Sequence, residues 1–418
     1  MILEPKLVAE ITAAVDEERL VAVASSLVDT PSPTGEEEEM GRRVAACFDA
    51  LRLETTWQEV EPGRPNVVGI RRGHGGGPTL MLNGHMDTSY SGNEEHLRQR
   101  PGFQPHAFAR EGRIWGLGIA NMKGAIACYI EALHALDDAG IALAGDVMVA
   151  AVAGEIEKAQ WEPEFRGAAY RGYSAGTHYL VTHGGAAADV CIIGEPTENR
   201  LVTGHYGTMW VRLSTSGPFV HTAFSRSRRK ENSILTMGAL LATIEAWIEE
   251  YELDSAYGGE PGVVNIAAIR GGHPWRASRT PERTDLFLDV RVPPTMRTQA
   301  ARDHVRALVR RLDDTQTGTG VTSEIYLTSP GAEIDPTHPL LEAIGQSHEE
   351  VFGERPALDT VRWSSDAAVL TRFGIDTVNY GASSGLPHQD GENLSVDELV
   401  RTAKVYALAT ARTCEVIR

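Results

Sequence analysis

Cysteine is scarce in this sequence and is never clustered. The 418 residues include Cys47, Cys128, Cys191 and Cys414, and no two of them form a C-x-x-C pair. A disulfide framework needs several cysteines at short spacing, and a zinc site built on thiolates needs such pairs. The sequence therefore argues against both, and a protein of a reducing compartment is expected.

The sequence also lacks long apolar runs, and it has fewer basic residues (39) than acidic residues (57). No apolar run approaches the roughly 20 residues of a membrane-spanning helix. The first residues, MILEPKLVAEITAAVDEERL, predict an amphipathic helix and lack the basic start and apolar centre of a secretory signal. The net charge of −18 argues against nucleic acid or an anionic membrane as partner. We expect a cytoplasmic protein that acts on a small molecule.

The order of apolar segments predicts two kinds of sheet. Residues 5–30 and 35–53 have helical periodicity, and NVVGIRR, PTLMLNGH and GDVMVAAVAG have the character of strands. Strands that alternate with helices indicate an α/β fold with a mostly parallel sheet flanked by helices. From residue 203 a β-α-β-β-α order predicts a separate antiparallel sheet backed by helices. We expect a first domain formed by residues 1–202 and 318–418, with an α+β domain inserted at 203–317; TSEIYLT would begin the last part.

Polar side chains follow several predicted strands directly. They are His85 and Asp87 in LNGHMD, Glu155 and Glu157 in AGEIE, Glu195 in IIGEPT, and His388 in SGLPHQDGE. In open α/β sheets this edge is where ligands bind. Taken singly, each residue is as well explained by a structural hydrogen bond, a helix cap or an ion pair. Together, histidine and carboxylate ligands favour Zn²⁺, Mn²⁺ or Co²⁺ over Mg²⁺ or Ca²⁺.

His85 and Asp87 are two residues apart, so their side chains can share a face. Asp87 would then accept the second N–H of His85, which is the usual way a metal-bound imidazole is oriented. Asn121 lies in the glycine-rich loop WGLGIANMKGA, just before a predicted helix. It is a further candidate for the same site.

The order of these motifs resembles the M20 family of metallo-amidohydrolases: H-x-D, G-x-G-x-x-N-M-K-G, G-E-I-E, G-E-P-T and a C-terminal histidine. The resemblance spans essentially the whole chain. It implies an α/β catalytic domain interrupted by a lid or dimerisation domain, and a homodimer or higher homo-oligomer through that domain. It also implies that His85 and Glu195 hold one metal, that Asp87 orients His85, and that His388 binds a second metal.

Two positions depart from the family pattern, and both concern the second metal. The family has a bridging aspartate where this chain has Asn121. Its catalytic Asp-Glu-Glu element, aligned without gaps, places Gly154 at the aspartate, Glu155 at the general base and Ile156 at a metal-ligand position. A one-residue slip would instead make Glu157 the ligand and leave no base.

The two losses predict a single catalytic metal. Two divalent ions a few Å apart need bridging negative charge, because their repulsion in a low-dielectric site is large. We expect one Mn²⁺ or Zn²⁺ ion, with Co²⁺ as a further option, held by His85 and Glu195 with Asn121 or a water. Glu155 would then be the base.

The inserted segment adds candidates through the same resemblance. His221 matches a lid histidine that stabilises the oxyanion, often across a dimer, and Asn232 matches a lid asparagine that binds substrate. The basic residues Arg226, Arg228 and Arg229 are either a solvated patch or hold a substrate carboxylate.

Several further positions are weaker candidates. Arg276 is another group for a carboxylate, and Trp363 lies in a WSSD loop that matches the mouth of the site. Asp366 in that loop is either an acid near the site or a helix cap. Aromatic residues beside the motifs allow a flat substrate held by stacking, although each is better explained by packing: Trp115, Trp161, Tyr206, Trp275 and Trp363.

The resemblance implies hydrolysis of a C–N bond of a small carboxylate-bearing substrate by metal-activated water. The GEIEK and NMKG variants resemble a branch of the family that deaminates aminoaromatic acids such as 5-nitroanthranilate, and we expect that activity. Hydrolysis of an N-acyl amino acid or dipeptide is the alternative. A non-catalytic binding protein is a second alternative, because Asn121 and Ile156 have lost metal-binding groups, although the other motif residues are retained.

Overall fold

The computed structural model describes residues 2–315, 320–382 and 390–417, so His388 lies outside the described residues. Within these ranges the chain forms ten α-helices: α1 (Pro5–Ala13), α2 (Glu17–Val28), α3 (Glu38–Ala50), α4 (Gly124–Asp138), α5 (Ala175–Thr182), α6 (Ser233–Asp254), α7 (Thr298–Thr315), α8 (Pro339–Phe352), α9 (Ala367–Leu370) and α10 (Val396–Thr413). Of these described helices, none has both the length and the apolar character needed to cross a membrane.

The same described ranges contain sixteen β-strands: β1 (Glu54–Glu61), β2 (Arg64–Arg71), β3 (Leu80–His85), β4 (Phe108–Arg110), β5 (Arg113–Trp115), β6 (Val147–Val152), β7 (Val190–Ile193), β8 (Leu201–His205), β9 (Gly207–Ser216), β10 (Val264–Gly271), β11 (Arg283–Val292), β12 (Thr322–Ser329), β13 (Ala332–Glu333), β14 (Leu358–Val361), β15 (Asp376–Asn379) and β16 (Asn393–Ser395). The chain divides into two compact units. The first comprises Met1–Thr203, Glu333–Asp359 and Ser365–Arg418, and the second comprises Gly204–Ala332 and Thr360–Ser364.

A mixed nine-stranded sheet runs in the order β1-β2-β6-β3-β7-β15-β8-β13, with β14 also paired to β8. Its four central strands, β6, β3, β7 and β15, are parallel to their neighbours in that group. β1 and β2 extend one side in antiparallel fashion. The predicted fold class, a mostly parallel sheet flanked by helices with a separate antiparallel sheet, is confirmed.

Burial on both faces explains the apolar central strands. Every residue of β3 and β6 is buried, as expected for parallel strands covered by helices on each side. α4 packs against α10 and α2, and twelve of its residues are buried. Each buried aliphatic side chain contributes roughly 1.5–3 kcal/mol. This core fixes the carboxyl ends of β3, β6 and β7 at one edge, where polar residues follow each strand.

Two local predictions for the first unit were wrong. The helix expected over residues 5–30 is interrupted between α1 and α2, because the Asp16 carboxylate accepts the backbone N–H of Arg19 and begins a new helix. β1 was missed because its sequence, ETTWQEVE, is largely polar. It is an exposed edge strand, and only Gln58 in it is buried.

A small third sheet, β16-β5-β4, ties the C-terminal part of the first unit to the segment before Asn121. Asn393 of β16 pairs with Trp115 of β5. The loop that carries Asn121 and the segment that carries Glu392 are therefore neighbours.

The second unit is a four-stranded antiparallel sheet in the order β10-β11-β9-β12. Its core lies between this sheet and the helices α6 and α7, and includes Val211, Leu240, Leu288 and Leu308. β12 contains TSEIYLT and pairs with β9, so the assignment of that strand to the resumed α/β part was wrong. Its largely exposed or half-buried side chains suit the edge of a sheet. The predicted boundary at residue 317 therefore lies one strand before this sheet ends.

A candidate metal centre

His85 ends β3 and places both ring nitrogens against oxygen atoms. Nδ1 lies 2.9 Å from the backbone oxygen of Asp87, and Nε2 lies 2.9 Å from Oδ1 of Asn121. A neutral imidazole has one N–H and can donate to only one of these acceptors. Burial lowers the pKa of His85, but the carboxylates of Glu195 and Asp87 outweigh it and raise that pKa above its usual value. A cation bound at Nε2 would take the place of the second proton.

Two glutamates complete a cluster with His85. Glu155 follows β6 and Glu195 follows β7, and their carboxylate oxygens lie 3.8 and 3.7 Å from His85 Nε2. One potential ligand atom from each of these three buried residues lies within 4.8 Å of the other two. Gly154 has φ of +64°, a left-handed conformation that glycine adopts at no steric cost. It redirects the chain at the end of β6, just before Glu155.

The cluster carries more negative charge than its own residues neutralise. Burial and then the carboxylate of Glu195 raise the pKa of Glu155 well above its usual value. Burial raises the pKa of Glu195 to about 7, against the opposing effect of His85. Buried carboxylates shift in this direction when no cation balances them. One imidazole nitrogen and two carboxylates are a suitable donor set for a divalent transition metal, so the residues present fit such an ion.

Asp87 is connected to both halves of this cluster, but not as predicted. The expected contact between the Asp87 carboxylate and the His85 ring is long, at 3.6 Å, and the ring contacts the backbone carbonyl instead. The carboxylate accepts the backbone N–H groups of Glu155 at 2.9 Å and Ile156 at 3.2 Å. It also accepts the hydroxyl of Thr34 at 2.8 Å. Asp87 thus fixes the loop that carries Glu155.

The placement of Glu155 bears on the alignment of the GEIE stretch. Among the described residues, the cluster includes Glu155 and does not include Glu157. Ile156 is buried, with 8% of its surface exposed, and its side chain offers no ligand atom. The geometry therefore favours the ungapped alignment over the one-residue slip.

Glu392 holds the loop that positions Asn121. Its Oε2 accepts the backbone N–H groups of Gly118, Ala120 and Asn121 at 3.0, 3.1 and 3.3 Å. Burial raises the pKa of Glu392, although these hydrogen bonds and nearby Lys123 oppose the shift. Burial in turn lowers the pKa of Lys123 to about 7. Sequence reasoning missed Glu392, because nothing in the local pattern DGENL marks it.

Asp366 is a further buried acid near the cluster. Asp366 occupies the N-cap position of α9, but its side chain makes no capping hydrogen bond to that helix. Oδ2 accepts the hydroxyl of Thr177 at 2.7 Å, while Oδ1 is buried and has no hydrogen-bond partner among the described residues. Asp366 interacts electrostatically with Glu155 and Glu195 and helps to raise the pKa of each.

The remaining candidates lie in the second unit. His221 is exposed, and its Nδ1 accepts the backbone N–H of Ala223. Arg276 is also exposed, in a short turn. The half-buried Trp363 stacks on His205 with ring centroids 6.4 Å apart.

Asn232 and Arg228, two further candidates of the second unit, also have structural partners. Oδ1 of Asn232 caps α6 by accepting the backbone N–H groups of Ile234 and Leu235. Arg228 pairs with Glu231 at 2.6 Å. The pattern Asn-Ser-Ile-Leu before a long helix was a sufficient signal for the cap.

Comparison with known proteins identifies chains that are similar over most of their length. The family model described as "Peptidase family M20/M25/M40" matches residues 81–412. N-formyl-4-amino-5-aminomethyl-2-methylpyrimidine deformylase from Bacillus subtilis (strain 168) is 26% identical, covering 93% of this chain and 93% of that protein. Acetylornithine deacetylase from Vibrio vulnificus (strain CMCP6) is 26% identical, covering 94% and 97%. The crystal structure of human carnosine dipeptidase 1 matches with a TM-score of 0.75 at 14% identity, covering 99% and 100%, and shows a common fold.

Proposed function

The chain belongs to peptidase family M20/M25/M40, and we propose that it hydrolyses a C–N bond of a small carboxylate-bearing substrate with a single metal ion. The coarser conclusion, a metal-dependent amidohydrolase or peptidase, follows from the family and its relatives. The cluster of His85, Glu155 and Glu195 is the observation that carries the proposal. The four free cysteines of the chain are consistent with a reducing, cytoplasmic setting.

In this proposal His85 and Glu195 hold the metal, with Asn121 beside Nε2 of His85. A divalent metal in such a site polarises the substrate and lowers the pKa of water. Glu155 takes the proton of the attacking water and delivers it to the departing nitrogen. Burial raises the pKa of Glu155 well above its usual value, which makes its carboxylate a stronger base.

The case for one metal comes from the residues that would serve a second. Asn121 carries no charge with which to bridge two ions, and the Ile156 side chain has no ligand atom. The metal could be Mn²⁺, Zn²⁺ or Co²⁺, since imidazole and carboxylate ligands suit all three. His388, the remaining candidate ligand, lies outside the described residues.

The substrate is proposed to be an aminoaromatic acid such as 5-nitroanthranilate. Substitution at an electron-poor ring carbon needs one activated water and stabilisation of the developing charge, which agrees with a single-metal site. The second candidate is an N-acyl amine, and the names of the curated relatives favour it: one is a deformylase and one a deacetylase.

One experiment separates these substrates. The metal-loaded enzyme is incubated with 5-nitroanthranilate, and in parallel with N-formyl and N-acetyl amino acids. Release of ammonia from the first substrate supports the deaminase. Release of formate or acetate and free amino acid supports the amidohydrolase. Glu155→Gln serves as the control for both reactions, because either one needs the base.

We further propose that residues of the second unit serve as a lid that contacts the substrate. His221 would stabilise negative charge on the substrate, while Asn232, Arg228, Arg276 and Trp363 would contact the rest of it. His221→Ala should lower kcat about 10²–10³-fold, the usual effect of removing one oxyanion donor, with little change in metal content. An unchanged kcat would remove His221 from this role.

A homodimer through the second unit completes the proposal. β10 is an edge strand whose residues after Val264 are all exposed, including Ile266 at 44% and Ile269 at 56%. An exposed edge strand with apolar side chains is a template for pairing with another copy. Ile269→Lys should shift the mass measured by light scattering towards the monomer. A wild-type monomer at micromolar concentration would contradict the dimer.

A further inference from the structure

A buried ion pair lies beside the loop that carries Glu155. Arg64, at the start of β2, is 1% exposed, and Glu37, just before α3, is fully buried. Nε and Nη2 of Arg64 donate to the two carboxylate oxygens of Glu37 at 2.9 and 2.7 Å. A bidentate pair of this kind fixes the plane of the guanidinium group. Glu37 therefore determines where the remaining nitrogen, Nη1, points.

Nη1 of Arg64 anchors the chain segment that is hydrogen-bonded to this loop. It donates to the backbone carbonyl of Arg171 at 2.7 Å and to the carboxylate of Glu61 at 3.0 Å. The same carboxylate accepts Nε of Arg171 at 2.6 Å. Arg171 is therefore held twice, through its backbone carbonyl by Arg64 and through its side chain by Glu61.

The residues after Arg171 hold the backbone of the loop. Three successive N–H groups donate to three carbonyls of the loop: Tyr173 to Ile156 at 2.9 Å, Ser174 to Glu155 at 3.2 Å, and Ala175 to Gly154 at 3.0 Å. Since Asp87 accepts the N–H of Glu155, the backbone of Glu155 is fixed on both sides. Its N–H is held by Asp87, and its carbonyl is held by the segment that Arg64 anchors.

The anchored segment is strained, and this makes the anchor necessary. Tyr173 and Ser174 have φ of 60° and 63°, in the left-handed region that residues with a side chain rarely adopt. Such a conformation persists only when the surrounding structure imposes it. Releasing the carbonyl of Arg171 would let these two residues relax, and their hydrogen bonds to the loop would lengthen.

The loop also packs directly on the guanidinium group. A Cβ atom at Gly154 would lie 2.4 Å from Nη2 of Arg64, so no free space separates the two. A lysine carries one ammonium nitrogen, which cannot occupy the positions of both Nη1 and Nη2. The position therefore needs an arginine for its geometry as well as for its charge.

We propose that Arg64, held by Glu37, is a positioning residue for Glu155, and that it acts by anchoring the segment at Arg171. The inference rests on the proposed function in one respect, that Glu155 is the base. The net stability contributed by a buried ion pair is often small, so stability alone does not account for the pair. A misplacement of about 1 Å near the reacting groups can cost about 10²-fold in rate, so a small shift of the loop should be visible in kcat.

Arg64→Lys is the test, because it keeps a cation beside Glu37 and removes the bond to Arg171. Arg412→Lys is the matched control, since Arg412 is 3% exposed and donates to both carboxylate oxygens of Glu350 in α8 at 2.6 and 2.7 Å. The metal-loaded proteins are assayed with the substrate class that the wild type hydrolyses. In Arg64→Lys we expect kcat to fall about 10–100-fold, with KM within about twofold of wild type and unchanged metal content. Arg412→Lys should keep the wild-type kcat.

Hydrogen exchange followed by mass spectrometry measures the anchoring without any substrate. Peptides that cover residues 153–157 and 172–176 should exchange about tenfold faster in Arg64→Lys, because their amides lose protection when the segment opens. They should be unchanged in Arg412→Lys. Glu37→Gln serves if Arg64→Lys does not fold. It keeps one acceptor for the guanidinium and should show the same changes to a smaller extent.

Wild-type exchange of these peptides in Arg64→Lys would overturn the anchoring. Three kinetic results would overturn the positioning of Glu155: wild-type kcat in Arg64→Lys, an equal fall of kcat in Arg412→Lys, or loss of bound metal in Arg64→Lys. If the wild type hydrolysed neither substrate class, the proposed function would fail instead. The exchange measurement would still decide whether Arg64 holds the loop.

Discussion

Oδ1 of Asp87 accepts the backbone N–H of Glu155 at 2.9 Å. The backbone carbonyl of the same Asp87 contacts Nδ1 of His85 at 2.9 Å. One residue therefore positions both the imidazole at the end of β3 and the glutamate that follows β6. The distance between the candidate ligand and the candidate base depends on Asp87.

Asp87→Asn should weaken the side-chain contact to Glu155 and Ile156 and leave the backbone contact to His85 intact. An amide oxygen at Oδ1 would still accept the N–H of Glu155, but the NH₂ group in the place of Oδ2 would face both the N–H of Ile156 and the hydroxyl of Thr34. Leaving one buried donor unsatisfied costs roughly 1–3 kcal/mol. We expect a fall in kcat of about 10–100-fold, with metal affinity within about tenfold of wild type, because the backbone carbonyl at His85 is retained.

Steady-state kinetics and metal titration of this variant give the two readings. The opposite outcome, a large loss of metal affinity with unchanged kcat at saturating metal, would mean that the carboxylate orients His85 directly.

Glu155→Gln tests the assignment of the base. Glutamine keeps the shape of the side chain but cannot accept the proton of water, so we expect turnover to fall about 10²–10⁴-fold. Metal content should be unchanged. Glu157→Gln is the matched control and should retain most activity. A larger loss in Glu157→Gln than in Glu155→Gln would restore the slipped alignment.

The pH dependence of stability follows from the raised pKa values at the site. The pKa of Glu195 is raised from 4.5 to about 7, and the pKa values of Glu155 and His85 are also raised. In this pH range the folded protein binds more protons than the unfolded chain, so its stability falls as pH rises. For Glu195 the window lies between about pH 4.5 and 7.

Thermal melts of metal-free protein should therefore show a falling Tm across that window, and Glu195→Gln should flatten the curve. Added Mn²⁺ or Zn²⁺ must displace these protons, so the gain in Tm should increase with pH. A gain that is constant from pH 5 to 7.5 would contradict this linkage.

Glu392 offers a test of the loop that carries Asn121. Glu392→Ala removes the acceptor of three backbone N–H groups, and we expect a loss of about 2–4 kcal/mol in the free energy of unfolding. Glu392→Gln keeps an acceptor oxygen and should lose less than half as much. Denaturant unfolding of the two variants measures the difference. Equal stability of the two variants would show that the N–H groups find other partners.

The polar groups at the strand ends could be predicted, because buried parallel strands dictate where the next residues emerge. His85, Glu155 and Glu195 were found in this way, as three separate strands place them at one edge. The sequence left the role of Asp366 open and gave no sign of Glu392, because tertiary packing brings both from a distant part of the chain. Sequence periodicity and motif spacing do not predict which distant residues pack near the cluster.

Buried or unpaired backbone N–H groups explain two other differences. The Asp87 carboxylate accepts the backbone N–H groups of Glu155 and Ile156 instead of the imidazole N–H, since those backbone groups are buried and need an acceptor. Asn232, expected at the substrate, caps α6 for the same reason. In both cases the unpaired backbone N–H groups of a loop or a helix end determined the partner. The Asn-Ser-Ile-Leu pattern indicates the second case, whereas no local pattern indicates the first.

The number of metal ions per chain tests the central claim most directly. Purified protein is loaded with Mn²⁺ or Zn²⁺, desalted, and measured by inductively coupled plasma mass spectrometry against protein concentration. Our account predicts close to one ion per chain in the wild type and in Glu155→Gln, and a strong reduction in His85→Ala. A value close to two ions per chain in the wild type would contradict it.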